Sequence, residues 1–266
     1  MPISRPVSRD TRDFDTTQLH EAGHGRSLHR DYSSHFFRWS FARRHIRPEH
    51  NVLDVGCGQD QPLLKILTGG AARSCGNYVG VDLNPLRKPR ATSYTLRGNF
   101  NIIEQWRELF QYEHAGYDRI VCFEVIEHMK REYGQQLLEV LRALLAHRGQ
   151  VFLSTPCYDG VRHAANHIHE YTVQELHDAI VDAGFRIIKR FGTFMDIKHI
   201  GTRTEQVDSR AIMQVRQALS EYYDNDAISC FFAPLYPDLS RNNLWILEDA
   251  GGPTPSREES QPSFEF

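Results

Sequence analysis

Two glycines, an acid and a cysteine lie close together in the segment 51 to 60, where their types and spacing could serve a ligand. The segment runs Asn-Val-Leu-Asp-Val-Gly-Cys-Gly-Gln-Asp. Gly56 and Gly58 allow the backbone to turn sharply and to approach a ligand without an intervening side chain. A glycine turn after the first strand is where open α/β sheets bind nucleotides. Asp54, Gly56, Cys57 and Gly58 are therefore predicted to line a nucleotide-type site.

The acids around this turn indicate which nucleotide fits. A pyrophosphate binder requires a third glycine and a helix N-terminus free of negative charge. This chain instead has Asp60 before the predicted helix and Asp54 beside the turn. Two carboxylates would repel a phosphate but would suit an adenosine ligand with a cationic tail. S-adenosylmethionine carries a sulfonium and an ammonium and has no phosphate, so it is the cofactor that these residues favour.

A further acid follows at about the distance expected of one strand-helix-strand unit. The residues Tyr-Val-Gly-Val at 78 to 81 predict a strand, and Asp82 comes directly after it. A carboxylate at this position can accept hydrogen bonds from both hydroxyls of a ribose.

Together, the 52 to 58 segment and Asp82 resemble the class I S-adenosylmethionine-dependent methyltransferases. The first motif of that family is an apolar-Leu-Asp-apolar-Gly-Cys-Gly turn, and its second strand ends in such an acid. The sequence departs from the family at Asp60, where a third glycine is usual. The resemblance extends to about residue 188. It implies an α/β fold with a Rossmann-like, doubly wound, seven-stranded and mostly parallel sheet that carries helices on both faces.

The resemblance also implies a set of residues around S-adenosylmethionine. The predicted helix before the first strand would lie over the cofactor, with Arg30 or Tyr32 near its carboxylate. Asn99 would contact the adenine, and Glu124, after the fourth strand, would face the methyl donor. The complete predicted cofactor set is Tyr32, Asp54, Gly56, Cys57, Gly58, Asp82, Leu83, Asn99 and Glu124.

Methyl transfer mainly requires that the acceptor and the methyl group are held close and aligned. A base is needed when the acceptor atom carries a proton of high pKa. Glu127 and His128 follow the predicted fourth strand, and a loop after the fifth strand contains His163, His167 and His169. Glu127, His128 and His167 are predicted to be the catalytic residues, with one imidazole removing the proton.

A metal site is the alternative use of the same residues. Glu124, Glu127 and His128 are spaced i, i+3 and i+4, which would place them on one face of a helical turn, and His167 could complete a mixed oxygen and nitrogen site. This pattern resembles the small-RNA 3′-end 2′-O-methyltransferases. Glu-His at this place also resembles metal-free enzymes such as the ubiquinone-biosynthesis O-methyltransferases. We therefore predict that these residues do not bind a metal ion. A metal-assisted RNA 3′-end 2′-O-methyltransferase is the alternative function.

Composition limits the classes of function. The chain has 266 residues, with 31 basic and 34 acidic side chains and a formal net charge of -3. No overall basic surface of the kind that drives nucleic-acid binding is expected. The predicted acceptor is therefore a small molecule methylated on oxygen or nitrogen. A methyltransferase-like interaction module without catalysis is the alternative of another class.

The five cysteines never form a Cys-x-x-Cys pair. They predict reduced thiols and a cytoplasmic protein. No apolar run approaches the length of a membrane span. His20 and His24 match the zinc-protease pattern His-Glu-x-x-His, but Gly23 and Gly25 disfavour the helix that such a site requires. No zinc hydrolase is predicted.

One catalytic domain is expected over 18 to 249, between a disordered arm (1 to 17) and a disordered tail (250 to 266). Within it, a lid helix is predicted at about 31 to 46 and an insert at about 192 to 241. The strands are predicted at 52 to 55, 78 to 81, 93 to 96, 120 to 123, 150 to 154, 185 to 188 and 244 to 247. The helices after the lid are predicted to begin at Pro62 and to cover 135 to 146, 172 to 183 and 209 to 223.

Overall fold

The computed structural model describes residues 32–68, 75–86, 94–158, 160, 164–195 and 209–251. The predicted arm, the His20 to His24 pattern, Arg30, the side chain of Tyr32, His163 and the tail beyond residue 251 lie outside the described residues. None of the helices within the described ranges combines the length and the apolar character that a membrane span needs.

The described strands form one sheet. They are β1 (Val52–Val55), β2 (Tyr78–Val81), β3 (Thr95–Arg97), β4 (Tyr117–Phe123), β5 (Leu145–Pro156), β6 (Phe185–Phe194) and β7 (Asn242–Asp249). Their order is β3-β2-β1-β4-β5-β7-β6. The pairs from β3 to β5 are parallel, whereas β7 runs antiparallel to both β5 and β6. The seven-stranded, mostly parallel sheet is confirmed.

Helices cover both faces of this sheet. They are α1 (Tyr32–His45), α2 (Pro62–Thr68), α3 (Ile102–Gln105), α4 (Arg131–Leu144), α5 (Val173–Asp182), α6 (Ser209–Leu219) and α7 (Asn225–Phe232). Adjacent residues of a strand point to opposite faces, so Val52 packs with α1 and α2, whereas Leu53 packs with α3, α4 and α5. β1 is fully buried between these two apolar layers.

Several element bounds differ from the sequence-based expectation. β6 continues through Phe194 because register shifts at 187/189 and 192/194 allow it to keep pairing with β7. Such irregularities break the alternation that marks a strand. The segment 192–194, predicted to start the insert, is therefore sheet. α4 begins at Arg131 with a polar first turn that has no apolar periodicity.

The start of α5 shows how local sequence fixes an element. The Thr172 side chain accepts a hydrogen bond from the Glu175 N–H at 3.1 Å, and the Glu175 carboxylate accepts one from the Thr172 N–H at 2.9 Å. This is the predicted capping box. It ends the loop that contains His167 and starts the helix α5.

Candidate active site

The glycine turn connects β1 to α2. Gly56 and Gly58 have φ values of +69° and +71°, which lie in the left-handed region. A Cβ atom at Gly56 would overlap the Cγ2 atom of Val125, which follows β4. A side chain at Gly56 is therefore excluded by conformation and by space. Cys57 is buried between the two glycines.

Asp82 joins the end of β2 to this turn. Its Oδ2 atom accepts a hydrogen bond from the Gly58 N–H at 3.0 Å, and its Oδ1 atom accepts one from the Asn84 N–H at 2.7 Å. Leu83 is half-buried beside it, and Asn99 is exposed with a φ of +53°. The carboxylate predicted to bind the ribose is thus held by backbone donors.

Asp54 lies beneath the turn and is 5% exposed. The Tyr78 hydroxyl donates a hydrogen bond of 2.5 Å to its Oδ2 atom. Burial raises the pKa of Asp54 to about 7, the Tyr78 hydrogen bond opposes this rise, and the nearby charge of Asp82 adds to it. A cationic ligand at the turn would favour the ionised form of this carboxyl.

The helix α1 reaches the site through Arg38, which is 1% exposed. Its Nη1 atom donates to the Ser34 hydroxyl at 2.5 Å, and Nη2 lies 2.9 Å from Nδ1 of His35. Nη1 also lies 3.7 Å from the Glu124 carboxylate. Arg38 was not predicted from the sequence, because a buried arginine and a solvated one look alike in an amphipathic pattern.

Glu124 takes a conformation that the sequence did not indicate. Its φ of +57° places it ahead of the 3₁₀ helix Ile126–His128, so it is not part of a regular helical turn. Its two carboxylate oxygens accept hydrogen bonds from Ser154 at 2.9 Å and Asn242 at 2.7 Å. The i, i+3, i+4 geometry expected for Glu124, Glu127 and His128 is therefore absent from this segment.

Glu127 is fully buried after β4. Its Oε2 atom accepts a hydrogen bond from the Thr155 hydroxyl at 2.9 Å, whereas Oε1 has no hydrogen-bond partner among the described residues. Burial raises the pKa of Glu127 to about 8, with a further contribution from the Glu124 charge. The backbone carbonyl of Glu127 accepts the N–H groups of Ile168 and His169, which holds the histidine loop against the 3₁₀ helix.

His128 and His167 lie beside Glu127. Their ring centroids are 5.0 Å apart and the rings are nearly perpendicular. Nδ1 of His128 lies 2.9 Å from the carbonyl oxygen of Asn166, and Nδ1 of His167 lies 2.5 Å from the Glu170 carboxylate. With Nδ1 occupied in both rings, Nε2 is the atom that each ring can offer to a ligand.

The structure brings the three predicted catalytic residues together. One carboxylate oxygen of Glu127 and one nitrogen each of His128 and His167 lie within 4.8 Å of one another. Glu124 is not part of this group. Glu127 and His128 lie in the 3₁₀ helix that follows β4, and His167 lies in the loop that follows the neighbouring strand β5.

Two further residues support the site and were not predicted. Glu170 is buried, and its carboxylate accepts two hydrogen bonds of 2.7 Å from Nη2 of Arg241. Burial by itself would raise the pKa of Glu170, but hydrogen bonds from His167, Ala164 and Arg241 lower it to about 2. The His167-x-x-Glu170 spacing is a local signal that could have suggested the pair. Arg241 is distant in sequence and gives no such signal.

The donor set fits a divalent cation. Glu127 offers a buried oxygen that has no hydrogen-bond partner within the described part of the chain. Each histidine has its other ring nitrogen against an acceptor, as metal-ligating histidines usually do. Mixed imidazole and carboxylate ligands suit ions such as Mn²⁺, Fe²⁺ or Zn²⁺. Asp54 and the glycine turn likewise fit a ligand with a positively charged tail.

Comparisons with known proteins agree with this architecture. A family model described as a methyltransferase domain matches residues 29–190, which is more than half of the chain. No curated protein sequence matches. Among solved structures, an S-adenosylmethionine-dependent methyltransferase from Archaeoglobus fulgidus is 15% identical, with a TM-score of 0.52 over 83% of this chain and 94% of that one.

Two other structural relatives differ in their acceptors. A Burkholderia thailandensis 1,6-didemethyltoxoflavin N1-methyltransferase, with bound S-adenosylhomocysteine, is 14% identical with a TM-score of 0.50, covering 81% of this chain and 78% of that one. The small RNA methyltransferase HEN1 is 18% identical with a TM-score of 0.55, covering 93% of this chain but 28% of that one. At these identities the likeness shows the fold alone.

The family match over 29–190 covers the glycine turn, Asp82 and the group of Glu127, His128 and His167. The chain therefore belongs to the class I S-adenosylmethionine-dependent methyltransferases and is an enzyme that uses S-adenosylmethionine as its methyl donor.

Proposed function

We propose that this enzyme methylates a hydroxyl oxygen of a small-molecule acceptor, and that Glu127, His128 and His167 hold a divalent cation beside that oxygen. The observation that carries the proposal is the convergence of one carboxylate oxygen and two ring nitrogens within 4.8 Å. Bound S-adenosylmethionine supplies the electrophilic methyl carbon. A cation at this place would lower the pKa of a bound hydroxyl and orient its oxygen.

The residues around the glycine turn hold the cofactor in this proposal. Asp82 accepts the ribose hydroxyls, and Asp54 provides negative charge near the cationic tail. Tyr32, Gly56, Cys57, Gly58, Leu83, Asn99 and Glu124 complete the proposed cofactor site. The helix α1 acts as its lid, because Arg38 connects that helix to Glu124 at the end of β4.

Glu127 and the two histidines carry out the remaining tasks. A bound cation would favour the ionised form of the buried Glu127 carboxyl, and Thr155 fixes which of its oxygens faces the histidines. The rings of His128 and His167 are held through Nδ1, so that Nε2 of each can face the acceptor. An oxygen acceptor is favoured over nitrogen because a hard oxygen completes a site of this kind more readily than an amine does.

A small molecule is favoured as acceptor by charge. With 34 acidic against 31 basic side chains, the chain has no excess of positive charge to hold a polyanion. The cysteines of the described residues are buried thiols, which supports a cytoplasmic location. We further propose one catalytic domain over 18 to 249, with the segment after β6 shaping the acceptor pocket.

Metal and acceptor can be tested together. Glu127→Gln and His128→Ala should lose Mn²⁺ binding, measured by electron paramagnetic resonance, while binding S-adenosylhomocysteine as tightly as the unchanged enzyme in calorimetry. His177→Ala is the matched control, because His177 is an exposed histidine on α5 that contacts Asp178. Turnover on hydroxylated small molecules should stop with a chelator and return with added Mn²⁺.

Three results would change the proposal. Turnover that survives the chelator but falls about a hundredfold or more in His128→Ala would indicate an imidazole base without a metal. Turnover that survives both the chelator and alanine at Glu127, His128 and His167 would show that neither a metal nor these side chains are required, and the proposal would be wrong. Methylation of the 3′-terminal ribose of an RNA, and of no small molecule, would make nucleic acid the acceptor class.

A further inference from the structure

We infer that Glu170, held by Arg241, is a positioning residue that fixes the tautomer and the ring orientation of His167. The inference rests on the proposed function in assigning Nε2 of His167 to the acceptor side of the site. It goes beyond that function because neither Glu170 nor Arg241 is part of the group that would touch an ion or an acceptor.

The Glu170 carboxylate is surrounded by donors. Oε1 lies 2.5 Å from Nδ1 of His167 and accepts the Ala164 N–H at 3.0 Å. Nη2 of Arg241 donates to both oxygens at 2.7 Å. The Glu170 side chain is completely buried, whereas those of His167 and Arg241 are 14% and 19% exposed. Water therefore has little access to the carboxylate.

These contacts determine where the proton of His167 resides. A carboxylate paired with an arginine is ionised and can only accept hydrogen bonds. Nδ1 of His167 must then carry a proton, and in the neutral ring the lone pair is on Nε2. Without Glu170 the ring could rotate or take the other tautomer, and Nε2 would no longer be fixed as the ligand atom.

Arg241 is itself fixed by the sheet. Its backbone N–H donates to the Phe194 carbonyl at 2.8 Å, and its carbonyl accepts the Cys157 N–H at 2.6 Å. Its Nη1 atom donates to the Cys157 carbonyl at 2.5 Å. The guanidinium is therefore anchored at the ends of β5 and β6 and at the start of β7. His167 is linked through Glu170 and Arg241 to the place where β5, β6 and β7 meet.

The test uses full-length protein with ¹⁵N-labelled histidine. Nuclear magnetic resonance of the unchanged enzyme should show His167 protonated at Nδ1 and unprotonated at Nε2. In Glu170→Gln that signature should change to mixed tautomers, and Mn²⁺ affinity should fall about 10- to 100-fold. S-adenosylhomocysteine affinity should stay within about twofold, because Glu170 does not contact the glycine turn.

Glu175→Gln is the matched control, since the Glu175 carboxylate caps α5 by accepting the Thr172 N–H. It should leave the His167 tautomer and the Mn²⁺ affinity unchanged. If the protein binds no Mn²⁺ but the tautomer is fixed as described, the metal proposal is wrong and the positioning role holds. A His167 ring protonated at Nε2 in the unchanged enzyme, or a Glu170→Gln variant with the same tautomer, would overturn the inference.

Discussion

Replacing Asp54 by asparagine tests the electrostatics beneath the cofactor turn. Asp54 is buried, and its pKa is raised by burial to about 7 from an ordinary value of 3.8. The Tyr78 hydroxyl lies 2.5 Å from Oδ2 and partly offsets this rise in pKa, because its hydrogen bond stabilises the ionised carboxylate. Asparagine has nearly the same shape and can still accept the Tyr78 hydrogen bond, but it cannot ionise.

The sign of the effect follows from the direction of the shift. Because the folded-state pKa is raised, the contribution of Asp54 to stability is fully present below the unfolded pKa and is lost as the pH rises through about 7. Between pH 5 and pH 8 this linkage removes roughly 2 to 3 kcal/mol from the free energy of unfolding. The Asp54→Asn variant should lack this part of the pH dependence.

The assay is urea unfolding of both proteins, followed by tryptophan fluorescence from pH 5 to pH 8. The difference in free energy of unfolding between Asp54→Asn and the unchanged enzyme should grow in favour of the variant as the pH rises. In Tyr78→Phe, the loss of the hydroxyl should move the transition of Asp54 to higher pH. A difference that stays constant across the whole range would refute the reasoning.

Four further outcomes are expected. S-adenosylmethionine affinity should rise with pH through about 7 in the unchanged enzyme but not in Asp54→Asn, measured by calorimetry. Asp82→Ala should weaken cofactor binding by roughly 2 to 4 kcal/mol, at the usual value for hydrogen bonds to a charged group; undiminished binding, or preference for a nicotinamide dinucleotide, would contradict the cofactor site. Gly56→Ala should lower both the melting temperature and cofactor affinity, because φ is +69° there; unchanged calorimetric and thermal curves would refute this. Changing His20 and His24 to alanine should leave the zinc content of the purified protein unchanged, measured by metal analysis.

The parts of the fold that depend on local sequence were predictable. β1 at 52–55 and β2 at 78–81 have the predicted bounds because each is a short, mostly apolar segment followed by a glycine or an acid. The capping box at Thr172 and Glu175 is a four-residue pattern and was equally predictable. The extension of β6 to Phe194 was not, since its bulges break the strand pattern.

The supporting residues of the site depend on contacts between distant segments. The grouping of Glu127, His128 and His167 could be predicted because the carboxyl ends of neighbouring parallel strands lie at the same edge of the sheet. Glu170 pairs with Arg241 because the start of β7 lies against the loop that contains His167. No local sequence pattern specifies this contact. Glu124 was expected within a helical turn because spacing alone does not reveal its positive φ.

The position of β7 affects how the protein forms during translation. β7 is the last described strand in sequence but lies between β5 and β6 in the sheet. Until residues 242–249 leave the ribosome, β5 and β6 each lack a neighbour and expose an unpaired edge, which invites aggregation. Arg241 and Asn242, which hold Glu170 and Glu124, arrive with the same strand. A nascent chain therefore cannot complete its active site before residues 241 to 249 have been synthesised.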